Sequence, residues 1–159
     1  MRQDGKGTVV PARRYTVEVI VIPEENKRLI REFVEETINR RNLEAMDTMV
    51  VPDFLEHVPL PGQGPGRDGL KAAIGAFLSA FPDLRWKTEE QIAEGNKVMS
   101  RFTWTGTHRG EFLGVPPTQR RVSVWGVVID VIAHDRLAES RILMDVMSLM
   151  QQLGVAPAS

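Results

Sequence analysis

Residues Arg121–Ile132 read RVSVWGVVIDVI, and Lys97–Thr107 before them reads KVMSRFTWTGT. Both stretches are dense in β-branched and aromatic side chains and follow the period of two that belongs to strands. Two more strand candidates flank them, Leu84–Ala93 and Leu137–Met144. Glu94-Gly95-Asn96 and His134-Asp135 carry the residue types of tight turns, so neighbouring strands are expected to pair antiparallel. His108–Arg120 is a longer connection, broken by Gly110, Gly114, Pro116 and Pro117.

Upstream the period changes. Leu29, Ile30, Phe33, Val34 and Ile38 recur at helical spacing and predict an amphipathic helix over Pro23–Arg41, with Glu24 and Glu25 favouring its N-terminus. Asn42 is placed to cap a second short helix with Leu43, Met46, Met49 and Val50 inward, and Val51–His57 reads as a short extended piece. The Pro59–Gly66 stretch, PLPGQGPG, reads as loop. Leu70, Ile74, Phe77, Leu78 and Phe81 define a helix over Asp68–Phe81, and Asp145–Leu153 a last one stopped by Gly154. Helices followed by consecutive strands make a single α+β domain, in which a curved antiparallel sheet wraps around the N-terminal helices. A hollow between those layers would hold a small ligand. The chain divides into an N-terminal extension (residues 1–23, with a strand candidate at Tyr15–Ile22), a domain over 24–154 and a tail over 155–159.

At 159 residues, 42% hydrophobic and 26% charged, the chain has the make-up of one globular domain, not of a disordered one. A net charge of −1 and a pI of 6.3 lack the basic footprint of a nucleic-acid binder. Having no cysteine excludes disulfides, thiolate metal sites and thiol nucleophiles. No apolar run approaches the ~20 residues of a membrane span. The brief stretch Val17–Ile22, interrupted by Glu18, does not read as an export signal. A soluble cytoplasmic protein is the expectation. Gly62-Gln63-Gly64-Pro65-Gly66 precedes a helix but lacks the Lys-Ser/Thr of a phosphate cradle, so it reads as a turn or the rim of a pocket.

Asp130 is the most pointed residue. It stands in Val127-Val128-Ile129-Asp130-Val131-Ile132, where both strand faces are otherwise apolar. A buried carboxylate must be paired, hydrogen-bonded or protonated, and desolvation moves it toward acid/base duty. The alternatives are an edge-strand position or a salt bridge to Arg101 or Arg141. The three histidines, His57, His108 and His134, show no metal-ligand spacing. His57 lies at a strand end before the Gly/Pro loop, as a pocket group or a hydrogen-bonded structural one. His108 continues the alternation of Phe102, Trp104 and Gly106, which makes Trp104 and His108 candidate pocket residues; the alternative for His108 is a loop anchor. His134 is a turn residue. Trp125, Val127 and Ile129 fall on the face opposite Asp130, too apolar for open water, which points to a homodimer.

Gly106-Thr107-His108-Arg109-Gly110-Glu111-Phe112-Leu113-Gly114-Val115-Pro116-Pro117-Thr118 resembles the G-T-H-x-G-x-[FM]-x-G-[IVM]-[PA]-[PA]-T-G-[RK] signature of the SnoaL-like polyketide cyclase family, departing from it at Gln119. Phe81-Pro82-Asp83-Leu84, His57-Val58-Pro59 with Pro65-Gly66-Arg67-Asp68-Gly69-Leu70, and Gln152-Leu153-Gly154 are similar to further family stretches. The resemblance covers about Glu24 to Gly154. It implies the nuclear-transport-factor-2-like fold, a cone-shaped α+β barrel, usually a homodimer. It also implies cofactor-free aldol closure of a polyketide by an aspartate on the last strand beside a histidine on the preceding one. Counting back from Gly154, those two positions hold Ile142 and Val128, neither of which moves a proton. Only the outer acids of that strand pattern, Glu139 and Asp145, are retained. Asp130 shares the strand face of Val128 and offers a replacement.

The expectation is therefore a cofactor-independent acid/base enzyme acting on a small hydrophobic carbonyl compound. Asp130 would transfer the proton, and His57, Trp104, His108, Val128, Ile142 and Asp145 would bind or orient the ligand. A non-catalytic binding protein is one alternative. A hydratase, dehydratase or epoxide hydrolase on the same fold is another.

Overall fold

The computed structural model describes residues 23–155, and the strand candidate at Tyr15–Ile22 lies outside them. Helix α1, Pro23–Val34, buries Ile30 and Phe33 and runs on into a π-helical turn over Glu35–Asn39. That wider turn buries Ile38 and brings Asn39 to the start of a strand: Asn39 Nδ2 donates to Trp86 O at 3.0 Å, and Trp86 N donates to Asn39 Oδ1 at 2.9 Å. The short helix expected next is a 3₁₀ turn at Leu43–Ala45 followed by α2, Met46–Met49. Asn42 precedes it without a side-chain capping bond.

Strand β1, Val50–Glu56, leads through the Gly/Pro loop to α3, Gly66–Ala80. A Cβ at Gly69 would sit 1.8 Å from Gly64 O, so the loop rests on the helix only because residue 69 has no side chain. Strands β2 (Arg85–Glu94), β3 (Lys97–Thr107), β4 (Arg121–Ala133) and β5 (Arg136–Met144) follow as antiparallel neighbours. His134 and Asp135 both take positive φ, 51° and 58°, as a two-residue turn matched to strand twist requires. Helix α4, Val146–Leu153, is capped by Asp145, whose carboxylate accepts Ser148 N–H at 2.9 Å, and it ends on Gly154 at φ 78°.

The sheet runs β1-β5-β4-β3-β2, and the α+β architecture is as expected. Two details differ. The sheet is mixed, because β1 pairs parallel with β5. Nor does it close into a barrel, since the edge strands β1 and β2 do not pair. Parallel pairing needs a long connection, and α3 with the following hairpins provides one. The core has two parts. Phe77, Phe81, Trp104 and Phe112 gather with Leu149 and Leu153, while Ile30, Phe33, Met46 and Phe54 gather with Val98 and Leu137. Among the described residues no helix is long and apolar enough to cross a membrane.

Candidate active site

A cavity of about 120 Å³ opens between the two core clusters. Its apolar wall includes Ile30, Phe33, Ile74, Phe77, Trp86, Val128, Ile142 and Met144, and its polar groups include Glu56, Ser100, Asp130 and Ser140. Alternation along β4 sends Val128 and Asp130 inward, and Ser140 is the cross-strand partner of Asp130. Leu60, Gln63, Ala73 and Phe77 also line a second, more polar hollow of about 500 Å³ that is bounded by Glu111–Gly114.

Asp130 is 4% exposed and sits on a central strand, so the edge-strand alternative falls. The salt-bridge alternative falls as well: Arg101 pairs with Glu90 at 2.9 Å, and Arg141 is exposed. Its hydrogen bond is from Ser140 Oγ, which donates to Oδ1 at 2.5 Å. Burial pushes the carboxyl up to about 7, against the lowering pull of the Ser140 bond, and the nearby negative charge of Glu56 adds to the rise. Glu56 is half-buried on the same cavity, and burial raises its carboxyl too. The N–H of Val58, donating to Oε1 at 2.9 Å, partly offsets that rise.

The structure brings three of the expected site residues together, Asp130, Val128 and Ile142. His57 follows Glu56 on the strand and so faces the other way, where its Nε2 lies 2.7 Å from Glu139 Oε2. Trp104 is fully buried against Phe77 and Phe81 outside the cavity wall. His108 is buried beside Phe81 as a clasp for the long loop; its Nδ1 accepts Thr118 N–H at 3.2 Å. Asp145 caps α4. Glu56, Ser100 and Ser140 were not expected. Alternation from Phe54 was the available signal for Glu56, and the cross-strand position opposite Asp130 was the signal for Ser140.

The sequence of residues 28–153 matches the family model of the SnoaL-like polyketide cyclases. The chain belongs to that family. Among solved structures, this SnoaL-like chain is similar to TsrD from Streptomyces laurentii, with 28% identity, a TM-score of 0.77 and coverage of 85% of this chain and 98% of that one. It is similar to AclR, a candidate hydroxylase from Streptomyces galilaeus, at 29% identity and a TM-score of 0.74, covering 86% of this chain and 89% of the other. IdmH from Streptomyces antibioticus, a candidate polyketide cyclase, gives 28% identity and a TM-score of 0.70, covering 82% and 99%. No curated protein matches the sequence. Within this SnoaL-like cavity, Val128 and Ile142, the positions of the catalytic pair implied by resemblance, pair across β4 and β5 as apolar wall.

Proposed function

We propose that this SnoaL-like protein is a cofactor-independent acid/base enzyme for a small hydrophobic carbonyl compound, with Asp130 as the proton-transfer residue. The observation that carries the reading is a buried carboxyl on the wall of an apolar cavity, without a cationic partner among the described residues, which burial pushes up to about 7. Such a group is neutral in a large fraction of molecules at neutral pH, and so can give a proton to a carbonyl oxygen. The apolar lining favours a substrate with little charge, and it strengthens the hydrogen bond made to that oxygen. The cavity is close in size to the roughly 150 Å³ apolar cavity that takes a benzene molecule, so it fits about one ring. The remainder of a larger substrate would lie toward the second hollow, past Leu60 and Gln63. An aldol-type ring closure on a polyketide-like molecule meets these requirements.

The test uses a small probe, 2-tetralone, whose α-protons exchange with deuterium through its enol. Proton NMR in heavy water should show the protein accelerating that exchange. Asp130→Asn should reduce it by roughly 10²–10⁴. Equal exchange by the two proteins would overturn the role of Asp130.

The outer sheet face supports a second copy of this chain as the partner. Trp125 is 53% exposed and Leu143 68% exposed, with Val127 and Ile129 beside them on the same face. We propose that this face is buried in a homodimer.

A further inference from the structure

We propose that Glu56 is a second catalytic residue, taking the proton from the substrate carbon while Asp130 gives one to the carbonyl oxygen. The inference rests on the acid/base reading of Asp130 and adds to it the group that removes the proton.

The geometry is a row across three adjacent strands. Glu56 on β1 is opposite Ser140 on β5, and Ser140 is opposite Asp130 on β4. All three line the cavity. Strands lie about 4.8 Å apart, so the backbones bearing the two carboxyls are separated by about 10 Å. Ser140, small and already committed to Asp130, fills the middle of the row without blocking the gap. In the proposed arrangement a carbonyl and its neighbouring carbon would lie over Ser140, with one carboxyl on either side.

The two environments divide the roles. Like charges facing one apolar hollow oppose each other, so the pair retains one proton over a range of pH. That proton belongs on Asp130, the more deeply buried of the two. Glu56 is less deeply buried; burial raises its carboxyl as well, but the Val58 N–H that it accepts holds that rise back, so it ionises before Asp130. Of the other charged groups on the packed elements, Asp53 on β1, Asp68 on α3, Lys97 on β3, and Arg136 and Arg141 on β5 are exposed, and others are engaged elsewhere. His57 pairs with Glu139. On α3, Arg67 and Lys71 reach Asp47 and Glu44 near the start of β1. On β3, Arg101 pairs with Glu90.

The step balances without an oxidant or reductant. Glu56 removes a proton from the carbon next to one carbonyl, and the released C–H pair passes through the enolate to form a C–C bond at a second carbonyl carbon. The π pair of that carbonyl takes the Asp130 proton and becomes a hydroxyl. When the product leaves, Glu56 gives its proton to water and Asp130 regains one.

Two measurements test this. In 2-tetralone exchange, the wild-type rate should be bell-shaped in pH, with Glu56 ionised and Asp130 protonated at the optimum. Glu56→Gln should lower exchange by roughly 10²-fold or more, and Glu56→Asp should restore part of it. If Glu56→Gln exchanges like wild type while Asp130→Asn does not, Glu56 is overturned and the reading of Asp130 stands. If wild type gives no exchange above buffer, the reading of Asp130 itself fails. Independently of turnover, carbon NMR of the Asp130 carboxyl should show its midpoint falling in Glu56→Gln, and an unmoved midpoint would overturn the pairing.

Discussion

Replacing Asp130 with Asn should make the folded protein more stable at alkaline pH and leave it nearly unchanged in acid. A carboxyl raised from its ordinary 3.8 to about 7 holds its proton more tightly in the folded chain than in the unfolded one. The stability that comes from the neutral form is complete below about pH 4 and is lost as pH climbs toward about 7. Above that, folded and unfolded chains are both ionised, and the penalty stays constant. At about 1.4 kcal/mol per pH unit, the difference corresponds to about 4 kcal/mol. The asparagine side chain of the variant keeps an oxygen for the Ser140 hydroxyl and cannot ionise, so it escapes this penalty. For a domain of this size about 4 kcal/mol is a rise in Tm of about 8–16 °C, an upper limit because the new amide N–H groups also need partners. Urea unfolding of both proteins from about pH 4 to about pH 8.5 makes the comparison and cancels groups remote from Asp130. A stability difference that stays flat across that range would refute the argument from burial. A variant less stable at every pH would mean that the native carboxylate is paired after all.

Two further outcomes follow from the packing. Light scattering should find a dimer at micromolar concentration, and Trp125→Glu with Leu143→Glu should give a folded monomer; a monomeric wild type sinks the interface. Gly69→Ala should destabilise the fold by about 2 kcal/mol or more, because its methyl would collide with Gly64 O and lift the loop off α3, while thermal melts equal to wild type would show that the loop yields freely.

What could be read in the sequence was whatever leaves a local pattern. Lys97–Thr107 is a strand with the expected ends because valine, phenylalanine and tryptophan alternate along it, and the hairpins follow from Gly95 and His134-Asp135. The parallel pairing of β1 with β5 joins Val50–Glu56 to residues more than eighty positions away, and no local signal encodes it. Asp130 stood out because a single carboxylate interrupts an apolar strand. Glu56 did not, because β1 also carries Asp53, and only counting by twos from Phe54 sorts one acid inward from the other. The register between β4 and β5 shifts between Val131 and Ile132 of β4, leaving Ala138 of β5 without a partner, so Leu137 and Ser140 are both buried although they are three apart. Simple alternation fails there.

The same register explains how acid/base chemistry can persist where the resemblance puts two aliphatic residues. Val128 and Ile142 are cross-strand partners, and Asp130 and Ser140 are the pair two residues further along the same two strands. At about 3.3 Å per residue, the polar centre therefore lies about 7 Å along the sheet from the position implied by resemblance. In moving there it comes level with the end of β1, the strand that carries Glu56. Burial is what keeps the acid at position 130 protonated, and the nearby charge of Glu56 adds to that. The aliphatic pair at positions 128 and 142 and the polar pair at positions 130 and 140 are thus successive cross-strand pairs on one cavity wall.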